Sequence, residues 1–151
     1  MKSLTNILPT KMFELHPRLT ADTFHIADLP LCRLLLMNDS RYPWLILVPR
    51  QASLTEVYQL DQDRQHQLWD ESALVGERLM QFTNADKLNI AALGNQVPQL
   101  HVHHVARFQH DSSWPAPIWG IGTAEPYLPE QSETLIASLR QLFADQSGHG
   151  D

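Results

Sequence analysis

Residues 98–108 read "PQLHVHHVARF" and place three of the chain's eight histidines within four positions. Imidazole attacks, accepts and donates near neutral pH and also ligates transition metals, so His101, His103 and His104 are the residues to weigh first. Their chemistry depends on the backbone beneath them. On a strand, successive side chains face opposite sides, which groups Gln99, His101 and His103 on one face and Leu100, Val102 and His104 on the other. The apolar company of His104 makes it a core histidine. The opposite face is polar at three consecutive positions and is expected to line a cleft. At a rise of about 3.3 Å per residue, His101 and His103 stand about 7 Å apart and can reach one bound group.

Two chemistries fit such a pair. As metal ligands the imidazoles need a third or fourth donor, which His110 and Asp111 could supply, although the cation of Arg107 opposes a metal at this place. As catalytic groups, one imidazole attacks phosphorus while the other positions or protonates the reacting group. Donors for developing charge are at hand in Gln99, His103, Asn89, Asn95, Gln96 and the backbone amides of residues 94–98. A polar binding face has the same spacing, so spacing alone leaves all three readings open.

The elements that must carry these residues follow from hydrophobic pattern. "LCRLLLM" at 31–37 and "WLILV" at 44–48 flank the turn cluster "NDSRYP" and form a β-hairpin, with "TFHIADL" at 23–29 supplying an earlier strand limited by Pro30. Ser53 with Glu56 has the spacing of a capping box for a short helix. Between about Asp63 and Thr83, Leu68, Val75, Leu79 and Phe82 share one helical face, with Gly76 the weak position. "KLNIAAL" at 87–93 and "QLHVHHVARF" at 99–108 pair across the "GNQVP" turn, so the histidines sit on a hairpin. "SSWPAPIWG" reads as an ordered loop packed by its aromatics, suited to shaping the cleft or a subunit contact. "QSETLIASLRQLFADQ" closes the chain as an amphipathic helix, and residues 146–151 are expected to fray. Strands, a long helix, then strands again give an α+β fold with a mainly antiparallel sheet.

At 151 residues and 43% apolar content the chain is expected to be one domain, residues 1–151, with a sizeable core. Its net charge of −6, with the charges scattered, gives no footprint for a nucleic-acid polymer. No apolar run approaches the roughly 20 residues of a membrane span, and "MKSLTNILPTKMFELHP" lacks the h-region of a leader, so the chain reads as cytoplasmic. Cys32 is the single cysteine and reads as a core residue.

"QLHVHHVAR" is similar to the H-φ-H-φ-H-φ-φ signature of the histidine-triad (HIT) superfamily, with Gln99, His101 and His103 at its three positions and Arg107 four residues beyond. "NIAALGNQVPQ" resembles the Asn-containing strand and Gly-Gln-x-Val approach of that family through Gly94, Asn95 and Val97, and "RYPWLILVPR" resembles its Val-Ile-Pro-Lys strand end. The likeness is strongest over residues 25–110. It implies a small α+β homodimer that binds a small-molecule nucleotide and cleaves or transfers at the α-phosphate, with no cofactor and no tightly bound metal. By the same resemblance His101 is the nucleophile that forms a nucleotidyl-histidine, His103 contacts the phosphate, and Asn38 or Asp39 in the early hairpin turn meets the ribose. Asn89, Asn95, Gln96 and Arg107 are the further substrate-binding candidates. The substrates implied are dinucleoside polyphosphates or nucleoside phosphoramidates. Gln99 departs from the signature: it can donate or accept a hydrogen bond but cannot carry a proton, and acid catalysis is worth about 10²–10⁴ in rate. A slow hydrolase and a nucleotide-binding module without turnover both fit that departure. A small metalloprotein built on His101, His103 and His110 is the remaining alternative.

Overall fold

The computed structural model describes residues 11–147. Residues 1–10, part of the stretch read as lacking a leader, and 148–151, most of the end expected to fray, lie outside the described residues; Ser147 still donates to the carbonyl of Phe143 at 3.1 Å.

A short helix, α1 (Pro17–Asp22), opens the described chain and was not expected from the sequence pattern. Its cap is unusual: the ring Nδ1 of His16 accepts from the N–H of Arg18 at 3.1 Å, and Pro17 takes the first helical position, where its missing N–H costs nothing. Strands β1 (Thr23–Asp28), β2 (Cys32–Met37) and β3 (Trp44–Pro49) follow, each antiparallel to the one before it. Ser53 does not cap a helix. It takes φ +59 in a turn, and only a 3-10 turn at Val57–Gln59 forms, tied by Gln59 Oε1, which accepts from the N–H of Thr55 at 2.9 Å and of Glu56 at 3.2 Å.

Helix α2 (Gln62–Thr83) begins at Asp61, whose carboxylate accepts from the N–H of Arg64 at 2.9 Å, and ends at Asn84 in the left-handed region. Gly76 is less a weakness than a fitting: a Cβ there would stand 2.6 Å from Leu88 Cδ2, so a larger residue would make the Leu88 side chain shift where the helix meets the next strand. That strand, β4 (Lys87–Ala91), pairs with β5 (Val102–Arg107), and the sheet order is β1-β2-β3-β5-β4, antiparallel throughout. Both last strands are shorter than expected. Residues 92–101 form a loop in which Gly94 turns at φ +73 and the N–H of Leu100 bonds to the carbonyl of Leu54 at 2.8 Å rather than entering the ladder. Helix α3 (Pro129–Leu142) starts and ends earlier than the apolar pattern suggested.

The sheet is covered on both faces, so its strands are nearly continuous apolar runs. Leu34, Leu36, Leu45, Leu47, Val102 and Ala106 pack beneath Leu68, Val75 and Leu79 of α2 and Leu139 of α3. Leu35, Trp44, Ile46, Val48 and Val105 face the other way, toward Leu19, Val97 and Ile118. Phe82, placed on the helix stripe, is 44% exposed because it lies along the open seam between α2 and α3. On the helical side, buried Glu71 accepts from the N–H groups of Leu31 and Cys32 at 3.0 and 2.8 Å and from Gln67 Nε2 at 2.7 Å, fixing the start of β2. Cys32 is buried there, and burial together with the Glu71 carboxylate pushes its thiol pKa well up. Among the described residues no helix is long and apolar enough to cross a membrane.

Candidate functional site

His103 enters the site from β5 and Trp44 from the adjoining β3. The register sets His103 opposite Ile46, which places Trp44 diagonally across on the same face. There the indole Nε1 donates to His103 Nδ1 at 2.9 Å. An indole N–H can only donate, so neutral His103 carries its own proton on Nε2. Burial, with His101 and His104 close by, pushes the pKa of His103 down to about 3 and keeps the ring neutral near pH 7.

His101, one residue ahead of β5, has the opposite arrangement. Its Nδ1 donates to the carbonyl oxygen of Gln99 at 2.7 Å, which leaves the lone pair on Nε2. The two rings meet nearly edge-on with centroids 4.8 Å apart, and Trp119 packs on His103 at 5.4 Å. The pair therefore joins one imidazole with a free lone pair to one whose exposed nitrogen is an N–H donor.

Both histidines line a cavity of about 750 Å³. The turn between β2 and β3 contributes Asn38 and Asp39, the loop before β5 contributes Asn95 and Gln96, and α1 contributes Arg18 and Asp22. Asp39 is buried; burial raises its pKa, but bonds from the Arg41 guanidinium and the N–H groups of Arg41 and Glu125 outweigh it and hold the carboxyl below its usual range. Asn38 accepts from the N–H of Tyr127 at 2.9 Å through Oδ1.

The family model for the HIT domain matches residues 18–110. The chain belongs to the histidine-triad (HIT) family. Three solved structures are similar to it along most of their length. A histidine triad protein from Marinobacter aquaeolei VT8 is 46% identical, with a TM-score of 0.87 over 90% of this chain and 99% of that one. A histidine triad protein from Bradyrhizobium japonicum is 45% identical, with a TM-score of 0.84 over 87% and 98%. One from Sinorhizobium meliloti 1021 is 47% identical, with a TM-score of 0.83 over 85% and 96%. Among curated proteins, none matches the sequence.

Several residues singled out in the sequence of this HIT protein stand elsewhere. Gln99 is not among the residues lining the cavity, because its side-chain amide is spent on the segment ahead of α1. Its Oε1 accepts from the N–H of His16 and its Nε2 donates to the carbonyl of Glu14, both at 2.8 Å. Asn89 and Arg107 lie outside the cavity lining. Arg107 is buried, bonded through Nε and Nη2 to Asp111 at 2.8 and 3.0 Å and through Nη1 to Asn89 Oδ1 at 2.9 Å, and stacked on Tyr42 and Trp114. Its guanidinium bonds hold the Asp111 carboxyl down at about 2. This cluster anchors the loop that carries Ile118 and Trp119. His110 stacks on Phe108 beyond the far end of β5, and among the described residues no three histidine, cysteine or acidic side chains gather to hold a metal, so the set His101, His103 and His110 is not assembled. His104 is a core residue as alternation required: its Nε2 meets Ser72 Oγ at 2.7 Å and burial pushes its pKa down to about 4.

Trp44, Arg18 and Arg41 complete the site and were missed in the sequence, while Trp119 comes from the aromatic loop expected to shape the cleft. For Trp44 no local signal was present, since β3 and β5 bring together residues 59 apart in the sequence rather than pairing through a hairpin.

Proposed function

We propose that this HIT protein is a nucleotide hydrolase or nucleotidyl transferase that reacts at the α-phosphate through a nucleotidyl-histidine on His101. The observation that carries the reading is the pair of opposite tautomers, a lone pair on His101 Nε2 next to a proton on His103 Nε2. In the first step the His101 lone pair forms a bond to the α-phosphorus, and the bond from phosphorus to the leaving oxygen or nitrogen breaks, its electron pair going with the leaving group; a leaving nitrogen takes a proton from solvent and departs as the neutral amine. His103 donates to a phosphate oxygen and takes up developing charge, while the Nδ1–H of His101 stays bonded to the Gln99 carbonyl and supports the positive charge on the ring. Water then attacks phosphorus, the P–N electron pair returns to Nε2, and the proton of the water passes to solvent.

The ribose falls to the β2–β3 turn. Asp39 is committed to Arg41 and backbone N–H groups, whereas Asn38 keeps its amide donor for a hydroxyl, and Asn95 and Gln96 offer further donors from the opposite wall. No cofactor and no bound metal enters these steps. The dimer is assigned to the exposed edge of the sheet, where β4 and the loop after it present Ile90 and Leu93, each nearly half exposed.

The test is intact-protein mass spectrometry after mixing with a panel of nucleotide substrates. An acid-labile adduct of nucleotidyl mass, lost in His101→Ala, is the expected result. Thermal stabilisation by nucleotide with neither adduct nor product would replace the reading by a nucleotide-binding module, which the absence of a proton carrier at residue 99 favours.

A further inference from the structure

Gln99 makes two separate connections to the site. Its carbonyl oxygen receives the Nδ1–H of His101 at 2.7 Å, and its side-chain amide grips a segment more than 80 residues upstream, accepting from the N–H of His16 and donating to the carbonyl of Glu14. Both polar atoms of the amide are used. His16 is also the residue whose ring caps α1, so the grip falls on the start of the helix that walls the cavity.

That helix delivers one cation. Of the two arginines lining the cavity, Arg41 is committed, with three contacts to the Asp39 carboxylate between 2.7 and 3.2 Å and a further bond to the carbonyl of Ile121. Among the described residues the Arg18 guanidinium meets only Asp22, at 3.7 Å, with both side chains more than half exposed. A pair so long and so exposed is weak, whereas a phosphate oxygen offers a guanidinium short, charge-assisted bonds.

We propose that Gln99 is a positioning residue whose amide clasps residues 14–16, holding α1 as a wall of the nucleotide cavity so that Arg18 receives a second anionic group of the substrate. The inference rests on the nucleotide reading above and deepens it. The first triad position then serves recognition through its side chain while its backbone serves the nucleophile. The two roles separate kinetically, because truncating the side chain leaves the carbonyl bond to His101 in place.

The experiment combines hydrogen exchange over residues 11–22 with steady-state kinetics on two substrates, a dinucleoside polyphosphate and a nucleoside phosphoramidate with an uncharged leaving amine. Gln99→Ala breaks both side-chain bonds; Gln99→Glu keeps an acceptor for His16 but sets oxygen against the Glu14 carbonyl. For both variants we expect exchange at residues 14–16 to accelerate and KM to rise about tenfold, with kcat changed by less than about twofold. Arg18→Gln should raise KM for the polyphosphate about fivefold more than for the phosphoramidate. Unchanged exchange, or a fall in kcat at constant KM, overturns the clasp; equal effects of Arg18→Gln on both substrates overturn its role as an anion receptor. If the wild-type protein turns over neither substrate, the hydrolase reading fails by itself. The clasp is then decided by exchange and by the dissociation constant of a nucleoside monophosphate, where the same tenfold loss supports it and unchanged values overturn it.

Discussion

Trp44 donates its indole N–H to Nδ1 of His103 at 2.9 Å, and this bond decides which nitrogen of His103 carries a proton. The consequence is measurable. Trp44→Phe keeps an aromatic ring in the cluster but leaves Nδ1 without its donor, so the ring can take either tautomer. We expect turnover to fall about tenfold, the scale of one lost hydrogen bond in a buried site. Nitrogen chemical shifts of His103 should move from the Nε2–H pattern in the wild type toward a mixture in the variant.

Stability should fall as the pH is lowered. His103 and His104 have folded-state pKa values near 3 and 4, below the ordinary 6.5, so between those values the unfolded chain binds more protons than the folded one. Stability therefore rises with pH through this window: the contribution is fully present above pH 6.5 and is lost as the pH drops toward 4 and then 3. Each imidazole contributes a slope of up to about 1.4 kcal/mol per pH unit. Urea unfolding at pH 7.5 and pH 5 measures it, and neither ring should titrate by NMR above pH 5. A flat stability profile across that range would contradict the burial described.

Arg107 belongs to the scaffold, and its loss should be read in unfolding experiments. Arg107→Gln leaves the Asp111 carboxylate without its ion-pair partner and removes the cation beneath Tyr42 and Trp114. The expected cost is about 3 kcal/mol, the scale for breaking a buried pair by removing one partner. Chemical denaturation measures it directly.

Glu71 is the corresponding device on the helical face. Glu71→Ala strands the N–H groups of Leu31 and Cys32 away from water, and we expect a loss of about 2–3 kcal/mol. Because the same change unties the start of β2, exchange of the Cys32 and Leu34 amides should accelerate more than exchange in β5.

Local pattern carried much of this fold. The Leu68, Val75 and Leu79 stripe marks α2, and alternation from Val102 onward separates His103 from His104. What escaped notice depended on partners distant in the chain. β5 begins at Val102 because the N–H of Leu100 is taken by Leu54, a contact that alternation does not encode. The amide of Gln99 is taken by Glu14 and His16, which keeps it out of the cavity lining although it lies in step with His101 and His103 in the sequence. Arg107 does share the face of His103 and Val105, but Tyr42 and Trp114 cover it, so its place on the strand did not make it a ligand residue. Helix α1 was legible in principle from the His-Pro pair at 16–17.

Two of the four tryptophans, Trp44 and Trp119, pack edge to face at 6.4 Å and both touch His103. The site is therefore equipped with its own optical reporter. Any group that settles against the histidine pair changes the surroundings of two indoles at once, so occupancy and the lifetime of a covalent intermediate can be followed by emission from unlabelled protein, with Trp69→Phe removing the exposed background.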